Sequence, residues 1–151
     1  MLDLVGANLQ LLIAHIPHAE AIGLVVLDAR PDEAWLRVPY AERLIGNPET
    51  GVVHGGVITT LLDNAAGTAV IVALEEPRSI ATLDLRIDYM KPAAPGRDIV
   101  GYCHCYKLTR NVAFVRGVAY HEAPEDPIAT VVATFMLGAN RALPPVFASG
   151  A

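Results

Sequence analysis

The pattern of apolar and polar positions changes its period once along the chain, near Pro77. Before it, the longest regular stretch is helical. Ile58, Leu61, Leu62, Ala65, Ala69, Val72 and Ala73 recur at steps of three and four, which predicts an amphipathic helix over residues 55–74. Leu4, Leu9, Leu11, Leu12 and Ile16 predict a shorter helix near the N-terminus, within a helical segment of residues 1–20. Between the two, "IGLVVLDA" and "EAWLRVPY" read as strands joined at Pro31-Asp32, which supplies turn chemistry. A loop with Gly46, Asn47, Pro48 and Gly51 leads into the long helix.

After Pro77 the period is two. "IATLDLRIDYM" puts Ala81, Leu83, Leu85, Ile87 and Tyr89 on one face and Thr82, Asp84, Arg86 and Asp88 on the other. "DIVGYCHCYKLT", "NVAFVRGVAYHE" and "PIATVVATFMLG" predict three more strands with short connections, which favours antiparallel pairing. Residues 139–151 read as a loose tail. A long helix packed on an antiparallel sheet is an α+β layer arrangement, and 151 residues fit a single domain.

Composition adds an expectation about assembly. Hydrophobic residues make up 53% of the chain, much for a small domain with a large surface relative to its volume. No uninterrupted run of about 18 apolar residues occurs, which argues against a membrane span. The acid at Asp3, with no basic region before the first apolar residues, argues against a signal peptide. A homo-oligomer, a dimer or a dimer of dimers, then accounts for the apolar excess, in the cytoplasm. The net charge of −5, with no basic stripe, argues against nucleic acid. Cys103 and Cys105 share one face of a strand and His104 the other. That is poor geometry for a disulfide and too few donors for a tetrahedral metal, so no metal is expected.

The chemistry concentrates in "HGGVITTLLDNAAGTA". Beside the apolar stripe runs a small, polar one: Gly56, Thr59 or Thr60, Asp63 and Gly67. A glycine inside a helix costs about 1 kcal/mol relative to alanine, so Gly67 wants a reason such as the close approach of another group. Gly55 and Gly56 open the helix, where backbone N–H groups lack internal acceptors and lie at the positive end of the dipole. Such donors can hold a carbonyl oxygen that gains charge, and an acid can activate water against its carbon. Gly56 and Asp63 are seven residues apart, about 10 Å along a helix, too far for both to touch one carbonyl. Two such helices running antiparallel about a two-fold axis would bring Asp63 of one chain to Gly55 of the other.

These residues resemble the signature of hotdog-fold acyl-CoA thioesterases of the PaaI-like, phenylacetate-degradation type. The resemblance extends through "SIATLDLRIDYMKPAAPGRDIVG" and "NVAFVRGVAY". It implies a hotdog fold, with the long helix wrapped by a curved antiparallel sheet, and hydrolysis of an acyl- or aryl-CoA thioester. It also implies that Asp63 acts as base or nucleophile, that the Gly55 N–H polarises the carbonyl, and that His54 shapes the loop. Thr82 matches a residue that holds the acid or the water. Asn47 stands for the family's asparagine, seven residues before His54 rather than the usual six. Strict alternation turns Thr82 away from Leu83 and Leu85, so a β-bulge or an approach from a partner chain is needed to use it. Coenzyme A enters only as part of the substrate, with no separate cofactor. Lys107, Arg110 and Asn111, in the hairpin "KLTRN", are candidates for its end, with Gly56 beside the thioester. A non-enzymatic acyl-CoA-binding module would keep the fold and lose the acid. A hotdog hydratase or dehydratase would carry a histidine paired with an acid in motifs absent from this sequence.

Overall fold

The computed structural model describes residues 4–140. Helices α1 (Leu4–Ala14) and α2 (Pro17–Ala21) lead into a hairpin of β1 (Val25–Arg30) and β2 (Glu33–Val38). Arg30 pairs with Glu33, so Pro31-Asp32 is a two-residue turn. Asp32 takes a φ of 80°, a left-handed conformation that aspartate tolerates. Two very short strands, β3 (Ile45–Asn47) and β4 (Val52–Val53), pair with each other before α3 (Gly55–Ala73) begins. Strands β5 (Arg78–Tyr89), β6 (Ile99–Leu108), β7 (Val112–Tyr120) and β8 (Ala129–Asn140) follow.

Six strands form one antiparallel sheet in the order β1-β2-β6-β7-β8-β5. α3 carries the chain from β2 to β5 at the far edge and touches all six strands on the way. This is the expected hotdog arrangement. Leu36, Leu61 and Leu62 meet between helix and sheet with no exposed surface, and each fully buried leucine contributes about 1.5–3 kcal/mol. By length and composition α3 could cross a bilayer, but half of its span is buried within this domain.

The structure corrects four expectations. The N-terminal helix is two pieces, because the residue before a proline is pushed out of the helical region: Ile16 has φ −94° and ψ 105°, and Pro17 starts α2. The burial of α3 is wider than one stripe, with Val57, Ala66 and Val70 buried as well, while Val72 and Ala73 near its end are only partly covered. Residues 139 and 140 belong to β8 rather than to a tail, and residues 1–3 and 141–151 lie outside the described part. In β5 the alternation changes phase, because the pairing with β8 skips a residue between Thr82 and Asp84.

Candidate active site

Three local devices set the start of α3. The His54 N–H donates to the Leu44 carbonyl at 2.8 Å, fixing the helix entry against the chain before β3. Gly46 makes that contact possible, since a Cβ there would lie 2.7 Å from the His54 Cα. The His54 imidazole then caps the helix: its Nδ1 accepts from the Gly56 N–H at 2.9 Å, which requires that nitrogen to be unprotonated. The expectation that both glycine N–H groups are open is therefore corrected. The Gly56 donor is spent within the chain, and a Cβ at Gly56 would press on the same His54 nitrogen at 2.9 Å. The Gly55 N–H donates to no group among the described residues.

Tyr89 completes this end, although in the sequence it reads as one more apolar position of β5. Its hydroxyl donates to the Gly55 carbonyl at 2.9 Å and lies 2.6 Å from the Thr59 hydroxyl. The peptide that follows the free donor is thus held from the sheet. A hollow of about 410 Å³ opens here, with Gly55, Ile58, Tyr89 and Lys91 on its walls.

Asp63 lies two turns further on, half-buried. Thr82 donates to its Oδ1 at 2.9 Å. The irregularity in β5 explains how. Ile80 and Thr82 precede the skipped residue and Leu85 and Ile87 follow it, so Leu83 absorbs the change of phase and stands 53% exposed. Thr82 reaches the helix within its own chain. Asn64, not singled out from the sequence, ties its amide nitrogen to the Thr60 carbonyl at 2.8 Å. Beneath the helix Cys103 is fully buried, and desolvation followed by the Asp63 charge pushes its thiol well up, so it stays a neutral core residue. Both cysteines are free. Asp63, Asn64 and Thr82 form the polar end of a second hollow, of about 260 Å³, whose other walls include Leu12, Ile71 and Phe135.

The remaining candidates lie apart. The Asn47 side chain accepts from the Glu49 N–H at 3.0 Å, and its carbonyl accepts from Thr50 and Gly51, so it shapes the turn before β4. Lys107, Arg110 and Asn111 are exposed around the β6–β7 turn. That turn sits at the far end of α3, where Leu108 and Thr109 share a hollow with Ala73 and Arg78. The Arg78 guanidinium clamps it, donating to the carbonyls of Gly138 (2.8 Å), Arg110 (3.1 Å) and Leu137 (3.1 Å). Within one chain the turn is near neither end of the His54–Asp63 stretch.

Three comparisons bear on this geometry. The thioesterase superfamily model matches residues 50–128, from the turn before β4 to the residue before β8. The medium/long-chain acyl-CoA thioesterase YigI of Escherichia coli is 29% identical over 150 residues, covering 91% of this chain and 94% of that protein. A putative esterase of Halobacterium salinarum is 45% identical over 75 residues, so this chain spans about half of that relative's length, 50%, and the match takes in 48% of this chain. A crystal structure of a Pseudomonas aeruginosa protein superimposes with a TM-score of 0.80 at 45% identity, covering 87% of this chain and 98% of that one.

Proposed function

The chain belongs to the thioesterase superfamily, and from that premise we propose that it hydrolyses the thioester of an acyl- or aryl-CoA to the free acid and coenzyme A, at a site shared between two copies of the chain. The observation that carries the shared site is the separation of its two halves. Gly55, whose N–H has no partner among the described residues, lines one hollow, and Asp63, held by Thr82, lines another on the same helix. Eight residues of helix separate them by about 12 Å. Antiparallel pairing of two α3 helices joins the Asp63 half of one copy to the Gly55 half of its partner, twice. The edge strand β5 supports such pairing: it is twelve residues long, and Leu83, Tyr89 and Met90 at or just past it are more than half exposed.

In this reading the Gly55 N–H donates to the thioester carbonyl oxygen. Asp63, oriented by Thr82, takes a proton from water as the water oxygen bonds to the carbonyl carbon. The tetrahedral species collapses, the C–S bond breaks, and the departing thiolate takes the proton back from Asp63. Direct attack by the carboxylate, through an anhydride opened by water, gives the same products. Lys107 and Arg110, with Asn111 beside them, hold the phosphate end of coenzyme A. The hollow beside Asp63 receives the acyl group, and the name of the Escherichia coli relative supports medium- to long-chain acyl groups.

A panel of acyl-CoAs assayed by release of free thiol tests the activity, with Asp63→Asn alongside. The variant keeps the shape and removes the base, so kcat falls about 10²–10⁴-fold, the range for loss of a general base, while acyl-CoA still binds. Full activity of Asp63→Asn would remove Asp63 from the chemistry.

A further inference from the structure

Gly67 is buried in the middle of α3, where alanine would be the better helix former. Among the described residues no packing contact demands a glycine there. A Cβ at Gly67 would meet the Ile80 Cδ1 at 3.5 Å and the Phe135 Cε1 at 3.7 Å, ordinary van der Waals contacts. Among the described residues no close approach explains the glycine.

The place where that Cβ would stand is informative. Gly67, Ile80 and Phe135 all line the hollow of about 260 Å³ that begins at Asp63 and Thr82. Along α3 this hollow runs past Asp63, Gly67 and Ile71, one turn apart, so its walls become apolar with distance from the carboxylate. Thr68, also on its wall, turns its hydroxyl back to the Asn64 carbonyl at 2.8 Å and presents no free donor. The opposite wall comes from α1. That helix is anchored, because the Gln10 side chain accepts from the Val26 N–H at 2.7 Å and donates to the Leu24 carbonyl at 3.5 Å. A mostly apolar slot in which Asp63, at one end, is the only charged group among the described lining residues fits a straight aliphatic chain whose carbonyl stays at Asp63.

We propose that Gly67 is a specificity-determining residue: its missing side chain keeps the slot open to aliphatic acyl chains that extend beyond about five carbons from the thioester. This rests on the thioesterase reading above. Gly67 lies about 6 Å from Asp63 along the helix and Ile71 about 12 Å. An extended chain advances roughly 1.3 Å per carbon, from a C–C bond of about 1.5 Å. A butyryl group therefore ends before Gly67, and an octanoyl or dodecanoyl group must pass it.

The test is Gly67→Ala, measured as the ratio of kcat/KM for dodecanoyl-CoA to that for butyryl-CoA. The same ratio is measured for binding of the non-hydrolysable thioether analogues by calorimetry. One methylene-sized change in an apolar pocket is worth about 10- to 200-fold in discrimination, so both ratios fall at least tenfold while the melting temperature holds or rises. Leu12→Ala, on the α1 wall, shifts the ratio the other way. Unchanged ratios in Gly67→Ala would overturn the proposal. So would a uniform loss at every chain length, which would mean a disturbed Asp63. A change of oligomeric state with unchanged ratios would also overturn it, by placing a partner's surface against Gly67. If the wild-type protein hydrolyses no thioester of the panel, the activity reading fails, and the binding ratios still decide the role of Gly67. If no analogue binds either, both fall.

Discussion

At the start of α3 the proposed chemistry lies in the backbone. His54 spends the Gly56 N–H on a cap, Tyr89 holds the next carbonyl, and one donor, the Gly55 N–H, is left over. At the middle of the same helix it lies in a side chain, Asp63, aimed by Thr82 from a strand nineteen residues away in sequence. The first region is made by helix geometry and glycines. The second exists only because β5 skips a residue in its pairing with β8. A donor built from the main chain has no rotamer to mis-set, and proline is the substitution that removes it. A side-chain base can be tuned or removed without altering the fold, at the cost of needing a neighbour to orient it.

That contrast can be probed from either side. The largest effect at the backbone end is expected for Gly55→Pro. Proline fits the first position of a helix, and His54 already has the extended ψ of 133° that a following proline favours, so the variant folds and loses only the donor. Loss of one oxyanion donor costs about 10²–10³ in kcat. A near-wild-type kcat in Gly55→Pro would put the oxyanion donor elsewhere. At the side-chain end Thr82→Val keeps the shape of β5 and removes the hydroxyl. A hydrogen bond to a charged group is worth about 1.5–3 kcal/mol, so kcat falls about ten- to a hundredfold, and Thr82→Ser restores most of it. Failure of serine to rescue would reduce Thr82 to a packing residue. The smallest effect is expected where neither end is touched. Replacing Lys107 and Arg110 by alanine raises KM for acyl-CoA several-fold with kcat nearly unchanged, because contacts far from the reacting bond are the same in ground and transition states. A loss confined to kcat would contradict their assignment to the coenzyme end.

The two regions also differ in how far they could be read from residues alone. The bounds of α3 are legible to within a residue, because His-Gly-Gly marks its start and the three-four spacing its length. The order of four strands after it followed from period-two runs and short turns. β3 and β4 are too short to show a period and fall in the loop that the sequence predicts. The change of phase in β5 was invisible, since Ala81, Leu83, Leu85 and Ile87 look like one unbroken face. Only the need to bring Thr82 to Asp63 hinted at a bulge. Tyr89 was hidden for the same reason: an aromatic on an alternating strand looks like packing, and its hydroxyl finds Gly55 only through the tertiary fold. The tie between His54 and Gly56 was likewise illegible, because an imidazole cap is not among the common oxygen caps.

The central claim is that each site takes Gly55 from one chain and Asp63 from its partner, and mixing inactive variants tests it most directly. Gly55→Pro and Asp63→Asn are purified separately, unfolded or dissociated together, and re-associated, with heterodimers verified by differential tags. If the site is shared, each heterodimer holds one site with both defects and one with neither, so the mixture recovers up to about a quarter of wild-type activity for random pairing. Verified heterodimers that remain as inactive as their parents, with both variants folded, would contradict the shared site and return Asp63 and Gly55 to separate roles within one chain.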